Sequence, residues 1–252
     1  MTKVPSMKEL LEAGVHFGHQ ARRWNPKMAP YIFMKQSGIH VIDLEKTEKQ
    51  LKAAADFIKD VASKGGVVIF LATKKQAAEI IKSEAERVGA MYLTQRWLGG
   101  LFTNFSAVKK TIDKLPALEG KLKTAEEEGF TKKEQLLMQR DITKLTRFIG
   151  GIRNLNKLPD ALFIVDARRE DISVREANKM GAPIVALVDT NGDPTKMTYP
   201  IAAHDDAIKS ISILVKTIAD AYEEGRQVWE KKSQEAAKEI EETKETKEPV
   251  TV

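Results

Sequence analysis

Val67-Val68-Ile69-Phe70-Leu71 is a continuous apolar run, and it is the stretch that decides the fold. An uninterrupted apolar run of this length is typical of a parallel strand that is buried on both faces. Similar runs occur at Ala161-Leu162-Phe163-Ile164-Val165 and at Pro183-Ile184-Val185-Ala186-Leu187-Val188. Segments with apolar residues at helical spacing lie between them, as at Ala77, Ile81, Ala85 and Val88. This alternation predicts an α/β fold with a parallel, doubly wound sheet of the Rossmann-like or flavodoxin-like kind.

The sequence around these runs predicts the remaining elements. Ser6-Met7-Lys8-Glu9 has the form of a capping box and predicts a short first helix. Residues 14–30 are interrupted by glycines and prolines and are expected to be irregular, whereas Ile39-His40-Val41-Ile42 predicts a short strand. Helices are expected around residues 51–62 and 175–180, a further strand at Met91-Tyr92-Leu93, and a last helix from Ile208 to Tyr222.

Residues 104–151 break the alternation of strands and helices. Two apolar stripes at heptad-like spacing flank a short turn, and Thr131-Lys132-Lys133-Glu134 forms a second capping box. This pattern predicts an inserted antiparallel helical coiled-coil hairpin, with a kink or break near Pro116 and Gly120. We expect the globular α/β domain to comprise residues 1–103 and 152–226. Residues 227–252 are highly charged and predict a frayed helix that runs into a disordered tail.

Composition excludes several classes of function. The chain of 252 residues contains no cysteine, which excludes disulfides, thiol nucleophiles and thiolate metal sites. The chain has only four histidines, which disfavours a metal site built from histidines, and we expect neither a metal nor another cofactor. The chain has no long apolar stretch and no secretory signal pattern, so we expect a cytoplasmic protein that does not bind membranes.

The distribution of charge is more informative than the net charge of +5. The stretches 13–42, 88–112 and 142–159 together carry 11 basic residues and no acidic residue. Segregated basic charge is expected of a protein that binds a phosphate backbone, although chance clustering is the alternative.

A doubly wound sheet also raises the possibility of an enzyme. Asp166 and Asp189 follow two predicted strands, where the ligands of α/β proteins usually bind. Asp189-Thr190-Asn191-Gly192-Asp193-Pro194 could hold a cation, but a turn whose side chains bond their own backbone is the favoured interpretation. The dinucleotide and phosphate-loop glycine patterns are absent, and no acid–base pair can be nominated. An enzyme that binds a nucleotide or sugar phosphate is therefore the alternative hypothesis, and a helical-hairpin interaction module is a third.

The segment that begins with His16-Phe17-Gly18-His19 carries the strongest indication of RNA binding. Two histidines three residues apart could share a helix face, but Gly18 disfavours a helix and no third ligand is near in sequence. Gln20, Arg22, Arg23, Trp24, Asn25 and Lys27 follow at once. Cations mixed with an aromatic and amides on a bent loop suit an irregular RNA surface, whereas a surface loop with a buried Trp24 is the alternative.

Four motifs resemble the bacterial small-subunit ribosomal protein S-two family. The longest is Leu11-Glu12-Ala13-Gly14-Val15-His16-Phe17-Gly18-His19-Gln20, continued by Arg22-Arg23-Trp24-Asn25-Pro26-Lys27-Met28. The second is Gln95-Arg96-Trp97-Leu98-Gly99-Gly100 with Thr103-Asn104-Phe105. Two shorter matches lie at Lys157-Leu158-Pro159-Asp160-Ala161-Leu162-Phe163 and at Val188-Asp189-Thr190-Asn191. The resemblance extends from about Met7 to Arg226.

The resemblance implies a structural role in the small (30S) ribosomal subunit. It implies binding to 16S rRNA between the head and the body of the subunit, contacts with other small-subunit proteins, and recruitment of ribosomal protein S-one. It implies neither an enzymatic activity nor a small-molecule substrate. The RNA-binding candidates are His16, His19, Arg22, Arg23, Trp24, Lys27, Arg96, Trp97, Lys109, Lys110 and Arg153.

Two segments depart from the family pattern. Many relatives carry a histidine-rich acidic turn where this chain has Ala167-Arg168-Arg169-Glu170-Asp171, which disfavours a metal role there. Where relatives usually have Ile-Pro-Gly-Asn-Asp, this chain has Ile201-Ala202-Ala203-His204-Asp205, so we expect a local difference at that turn.

Overall fold

The computed structural model describes residues 4–125 and 129–245, with side chains as far as residue 235. The helices are α1 (Met7–Glu12), α2 (Leu44–Ser63), α3 (Lys75–Val88), α4 (Phe105–Lys123), α5 (Lys132–Ile149), α6 (Asp171–Met180) and α7 (Ile208–Glu245). The strands are β1 (Phe17–Gln20), β2 (Ile32–Gln36), β3 (Ile39–Ile42), β4 (Val68–Leu71), β5 (Met91–Leu93), β6 (Ala161–Val165), β7 (Ile184–Val188) and β8 (Tyr199–Ala202). No helix in the described ranges is both long and apolar enough to cross a membrane.

The main sheet has five parallel strands in the order β5-β4-β6-β7-β8. The predicted α/β class with a parallel sheet is therefore confirmed. Every residue of β4, β6 and β7 is buried, as the continuous apolar runs predicted. The strand order reverses between β4 and β6, so the crevice outside the carboxyl ends of these two strands is the switch point of the sheet.

Alternate residues of each central strand enter two separate apolar layers. Phe70 and Phe163 face one layer together with buried residues of α2, α3 and α7. Ile69 and Ile164 face the other layer, together with α6 and with buried residues of α4 and α5. The sheet is thus covered on both faces, which explains why its central strands contain no polar residue.

Three strands were absent from the sequence predictions. β1 and β2 pair with the predicted β3 in a second, antiparallel sheet, so residues 14–30 are less irregular than expected. β8 forms the edge of the main sheet and contains Pro200, which has no N–H to donate. An edge strand tolerates a proline on its unpaired side, but the same proline weakens the sequence pattern of a strand.

Helices α4 and α5 occupy the segment that was predicted to be a hairpin. The capping box at Thr131 and Glu134 is present, and Val108, Ile112 and Ile142 are buried in one apolar layer with the sheet. The expected break near Pro116 is wrong, because α4 continues through it to Lys123. A kink there stays a prediction. Pro116 lies on the exposed side of α4, whereas Ile112 and Leu115 are buried, so their packing offsets the cost of a proline within a helix.

The charged segment after Gln227 is more helical than expected. Helix α7 continues to Glu245, where the sequence predicted a frayed helix and then disorder. Residues 246–252, to which the prediction of disorder also applied, lie outside the described residues.

Close packing of α2 against α7 depends on Gly225. A Cβ atom at this position would collide with the carbonyl oxygen of Lys59 and would lie 2.6 Å from the Cβ of Ala62. We expect Gly225→Ala to lower the free energy of unfolding by about 1–3 kcal/mol, because the two helices must separate. Denaturant unfolding of the full chain measures this change.

Gly120→Ala is the matched control, because Gly120 is also helical but has open space around its Cβ position. Alanine there should raise stability by about 0.5–1 kcal/mol, since it restricts the unfolded chain. Equal effects of the two substitutions would contradict the close contact between α2 and α7.

Candidate functional site

The switch-point crevice is occupied by a buried ion cluster. Lys74 follows β4, and its Nζ lies 2.8 Å from Asp205 Oδ1, 2.5 Å from Asp206 Oδ1 and 3.5 Å from Asp166 Oδ2. Burial alone would lower the pKa of Lys74, but the facing carboxylates raise it above its usual range. Burial and the charges of Asp189 and Asp166 raise the pKa of Asp205 to about 7. Protein groups therefore fill the place where an α/β enzyme would bind a phosphate.

Asp189 joins this cluster to the N-terminal motif. Its fully buried carboxylate lies 2.8 Å from His204 Nδ1 and 3.1 Å from His19 Nδ1, and it accepts a hydrogen bond from the backbone N–H of Thr190. Burial would raise the pKa of Asp189, but the hydrogen bond with His204 and the adjacent His19 ring lower it below its usual range. The Asp189 carboxylate, 3.1 Å from Nδ1, raises the pKa of His19. His19 is thus engaged within the protein and is a poor candidate for stacking on a base.

Two groups of side chains in the described part of the chain could hold a metal ion. They are His19, His204 and Asp206, and His19, Asp189 and Asp205; within each group the ligand atoms lie within 4.8 Å of one another. Mixed imidazole and carboxylate ligands suit an ion such as Zn²⁺. No third ligand for His19 could be found near it in sequence, because the other members of both groups follow β7 and β8 in the second half of the chain. His16, its predicted partner, belongs to neither group.

The loop after β7 forms the predicted turn and anchors the N-terminal loop. Asp193 Oδ1 accepts a hydrogen bond from the backbone N–H of Thr195, as expected of a turn. The N–H of His19 donates to Thr190 Oγ1 at 2.8 Å, and Lys27 Nζ lies 2.7 Å from Asp193 Oδ2. Gly18 is required at this junction, because a Cβ there would lie 2.6 Å from the Thr190 methyl group.

Beyond this anchor, the N-terminal loop exposes two arginines and a tryptophan. Arg22 donates to Gln20 Oε1 at 3.0 Å, whereas Arg23 has no ion pair among the described residues. Trp24 is 37% exposed, and its ring packs on that of His40 with centroids 5.0 Å apart. Trp24 is therefore neither a core residue nor a free side chain, and one part of its ring remains open to a ligand.

The second motif contains one exposed and one buried candidate. Arg96 is exposed and forms no ion pair with any residue that the structure describes. Trp97 is only 6% exposed, stacks on Phe102, and donates its Nε1–H to Glu176 at 3.2 Å. Trp97 is therefore unsuited to contact RNA, because its ring is part of the apolar layer.

Carboxylates from outside the acid-free stretches neutralise several of the predicted cations. Lys109 Nζ lies 2.8 Å from Asp113 Oδ1, and an Arg153 nitrogen lies 2.8 Å from Glu119 Oε2. Lys110, by contrast, is exposed and without an ion pair in the described ranges. Basic residues in a stretch without acidic residues can thus form ion pairs with carboxylates from elsewhere in the chain. Only some of the predicted cations lack such a partner among the described residues.

A second surface is apolar. Met7, Leu11, Phe33 and Met34 line a cleft of about 420 Å³ between α1, β2 and the start of α2. Each of these four side chains is exposed, and Phe33 is exposed to 71%. His16 also lines this cleft. Burial and the charge of His204 lower the pKa of His16, which favours its neutral form. We name this surface the apolar cleft.

His40 lies beneath Trp24 with neither ring nitrogen hydrogen-bonded within the described residues. Burial and the charge of Lys35 lower its pKa. On acidification the unfolded chain therefore binds a proton before the folded chain does, so His40 contributes stability above its unfolded pKa of about 6.5 that is lost as the pH falls. The stability of His40→Phe relative to the native chain should therefore rise as the pH falls from 7 to 5.

Denaturant melts at several pH values measure this difference, and the contributions of the other histidines are the same in both proteins. Parallel stability curves for His40→Phe and the native chain would contradict the lowered pKa of His40.

Comparison with known proteins agrees with these motifs. The family model described as "Ribosomal protein S2" matches residues 10–225. The chain is 51% identical over 222 residues to "Small ribosomal subunit protein uS2" of Geotalea uraniireducens (strain Rf4), and the match covers 88% of this chain and 87% of that protein. The family consists of structural, non-enzymatic components of the ribosome, which excludes the alternative hypothesis of an enzyme. The chain belongs to the ribosomal protein S2 family and is a structural constituent of the small ribosomal subunit in the cytoplasm.

Proposed function

We propose that this chain binds 16S rRNA chiefly through exposed cations that have no carboxylate partner. Within the described residues, such cations include Arg22 and Arg23 on the N-terminal loop, Arg96 in the second motif and Lys110 on α4. Each can release condensed counterions from an RNA backbone without first breaking an ion pair within the protein. The observation that carries the proposal is that these unpaired cations also lie in the acid-free stretches 13–42 and 88–112.

Candidates that form ion pairs within the protein are expected to contribute less to rRNA affinity. Lys27, Lys109 and Arg153 must exchange a carboxylate for a phosphate, so each contributes less to affinity. Trp24 can stack on one unpaired base through the part of its ring that His40 leaves open. His16 is half-buried, which leaves it a contact only at the margin of this surface.

The double substitution Arg22→Gln with Arg23→Gln tests the phosphate contacts. Neither arginine forms an ion pair among the described residues, so the melting temperature should remain nearly unchanged. The slope of log affinity against log salt concentration should become shallower by roughly 0.7–0.9 for each phosphate that an arginine no longer neutralises. Binding of the full chain to 16S rRNA at several salt concentrations provides this slope.

Lys49→Gln with Lys52→Gln is the matched control. It removes the same charge from a surface of α2 that also carries Glu45 and Glu48. The control should leave the salt slope unchanged. Equal changes in the two double variants would show that only the net charge matters, and an unchanged slope for the arginine variant would contradict the proposed interaction with phosphates.

The apolar cleft is a protein-binding surface in this proposal, and ribosomal protein S-one is its partner. Exposed apolar side chains grouped around a cleft are typical of protein–protein interaction sites. Cations dominate the N-terminal loop, whereas the cleft is lined mainly by Met7, Leu11, Phe33 and Met34. This separation lets one chain bind rRNA and a second protein at the same time.

Leu11→Ser with Phe33→Ser should weaken the association of S-one with small subunits that contain the variant. Both side chains are largely exposed, so stability and rRNA binding should change little. Ile208→Ser is the control, because Ile208 is also exposed, to 62%, but lies outside the cleft. Co-sedimentation of S-one with the reconstituted subunits measures the effect. Full retention of S-one by the double variant would exclude the cleft as its site.

The hairpin has a place in the same proposal. We propose that α4 and α5 form an antiparallel coiled-coil hairpin, inserted at residues 104–151 between the parts 1–103 and 152–226 of the α/β domain. The buried stripe of Val108, Ile112 and Ile142 supports the pairing of the two helices. The exposed cation of Lys110 on α4 then adds the hairpin to the proposed rRNA-binding surface.

A further inference from the structure

The carboxylate of Glu176 receives four hydrogen bonds from one loop. Its Oε1 accepts from the Nε1–H of Trp97 at 3.2 Å and from the backbone N–H of Gly100 at 2.8 Å. Its Oε2 accepts from the backbone N–H of Phe102 at 3.3 Å and from the hydroxyl of Thr103 at 3.4 Å. Glu176 lies on α6, which is far from this loop in sequence but packs in the same apolar layer as Trp97 and Phe102.

The loop between β5 and α4 depends on such an acceptor. Residues 94–104 form neither a helix nor a strand, and Gly100 has a φ of +90°. The loop's own backbone hydrogen bonds are those from Leu101 to Leu98 and from Asn104 to Gly100. Charge-assisted hydrogen bonds to backbone N–H groups are about twice as strong as neutral ones, so one carboxylate can hold a loop that lacks regular structure.

Arg96 lies next to the residues that Glu176 holds. It precedes Trp97 directly, it is exposed, and it has no ion pair in the described part of the chain. Trp97 is fixed on one side by Phe102 and on the other by Glu176. Trp97 therefore restricts the backbone at Arg96. The conformational entropy of this loop is lost when the chain folds, and not when it binds RNA.

We propose that Glu176 is a positioning residue for rRNA binding, which acts by fixing the loop that presents Arg96. This inference rests on the proposed contact between Arg96 and 16S rRNA. Glu176 itself does not touch the RNA. Without it, the loop samples other conformations, and the entropic cost of ordering Arg96 falls on each binding event.

A double-mutant cycle between Glu176→Ala and Arg96→Gln separates positioning from a general loss of stability. We expect Arg96→Gln to lower the affinity of the native chain for 16S rRNA. The factor by which it lowers the affinity should be at least about threefold smaller in the Glu176→Ala background. Glu176→Gln retains one carbonyl acceptor and should give an intermediate coupling. Binding is measured with the full chain at a temperature where circular dichroism shows every variant to be folded.

Two controls test whether the coupling is specific to Glu176 and Arg96. Lys179→Ala changes an exposed side chain of the same helix and should not couple to Arg96→Gln. The cycle between Glu176→Ala and Arg23→Gln should be additive, because Arg23 belongs to a different loop. If Glu176→Ala fails to fold, Glu176→Gln takes its place in both cycles.

The outcomes distinguish this inference from the function on which it rests. Weaker binding by Arg96→Gln together with a coupled cycle supports the positioning role. Weaker binding with an additive cycle overturns that role and leaves the rRNA contact of Arg96 intact. Unchanged binding by Arg96→Gln contradicts the contact itself, and with it the inference.

Discussion

The buried carboxylate of Asp189 connects the N-terminal loop, the main sheet and the segment after β8. Asp189 directly follows β7, the strand beside the edge strand β8, and its carboxylate faces His19 from the N-terminal loop and His204 from the segment after β8. A buried carboxylate without such partners would cost several kcal/mol. Three segments that are distant in sequence must therefore come together for the sheet to keep this charge. The N-terminal loop with Arg22, Arg23 and Trp24 takes its position from this requirement.

The same cluster explains how an α/β sheet can serve as a structural protein. In enzymes of this architecture, the crevice at the switch point is open and its loops bind a ligand. Here Lys74 reaches into the crevice and pairs with Asp205 and Asp206, and its side chain is only 10% exposed. The paired charges of the cluster occupy the crevice at the carboxyl ends of the strands. In the proposed function, rRNA therefore binds at the outer surfaces of the loops.

The fold could be predicted from the sequence wherever burial on both faces imposes a pattern. β4, β6 and β7 are apolar throughout because both of their faces are covered. β8 was not predicted, because an edge strand can contain a proline such as Pro200. The short β1 was not predicted, because it contains Gly18 and His19, whose roles depend on the distant residues Thr190 and Asp189. Local sequence shows what a residue is but not which distant residue faces it.

The sequence also predicted only part of the candidate site, because it does not show which cations form ion pairs within the protein. Arg23 and Arg96, which the motifs offered as candidates, and Lys110, from an acid-free stretch, are exposed cations in the structure. The sequence could not separate them from Lys109, which Asp113 neutralises, or from the buried Trp97. An ion pair within the protein competes with a phosphate for the same cation, so its partner lowers the gain from RNA binding. The free energy of binding therefore depends on which cations the fold leaves unpaired. The fold can also restrict how such a cation is presented, as the hydrogen bonds of Glu176 do for the loop of Arg96.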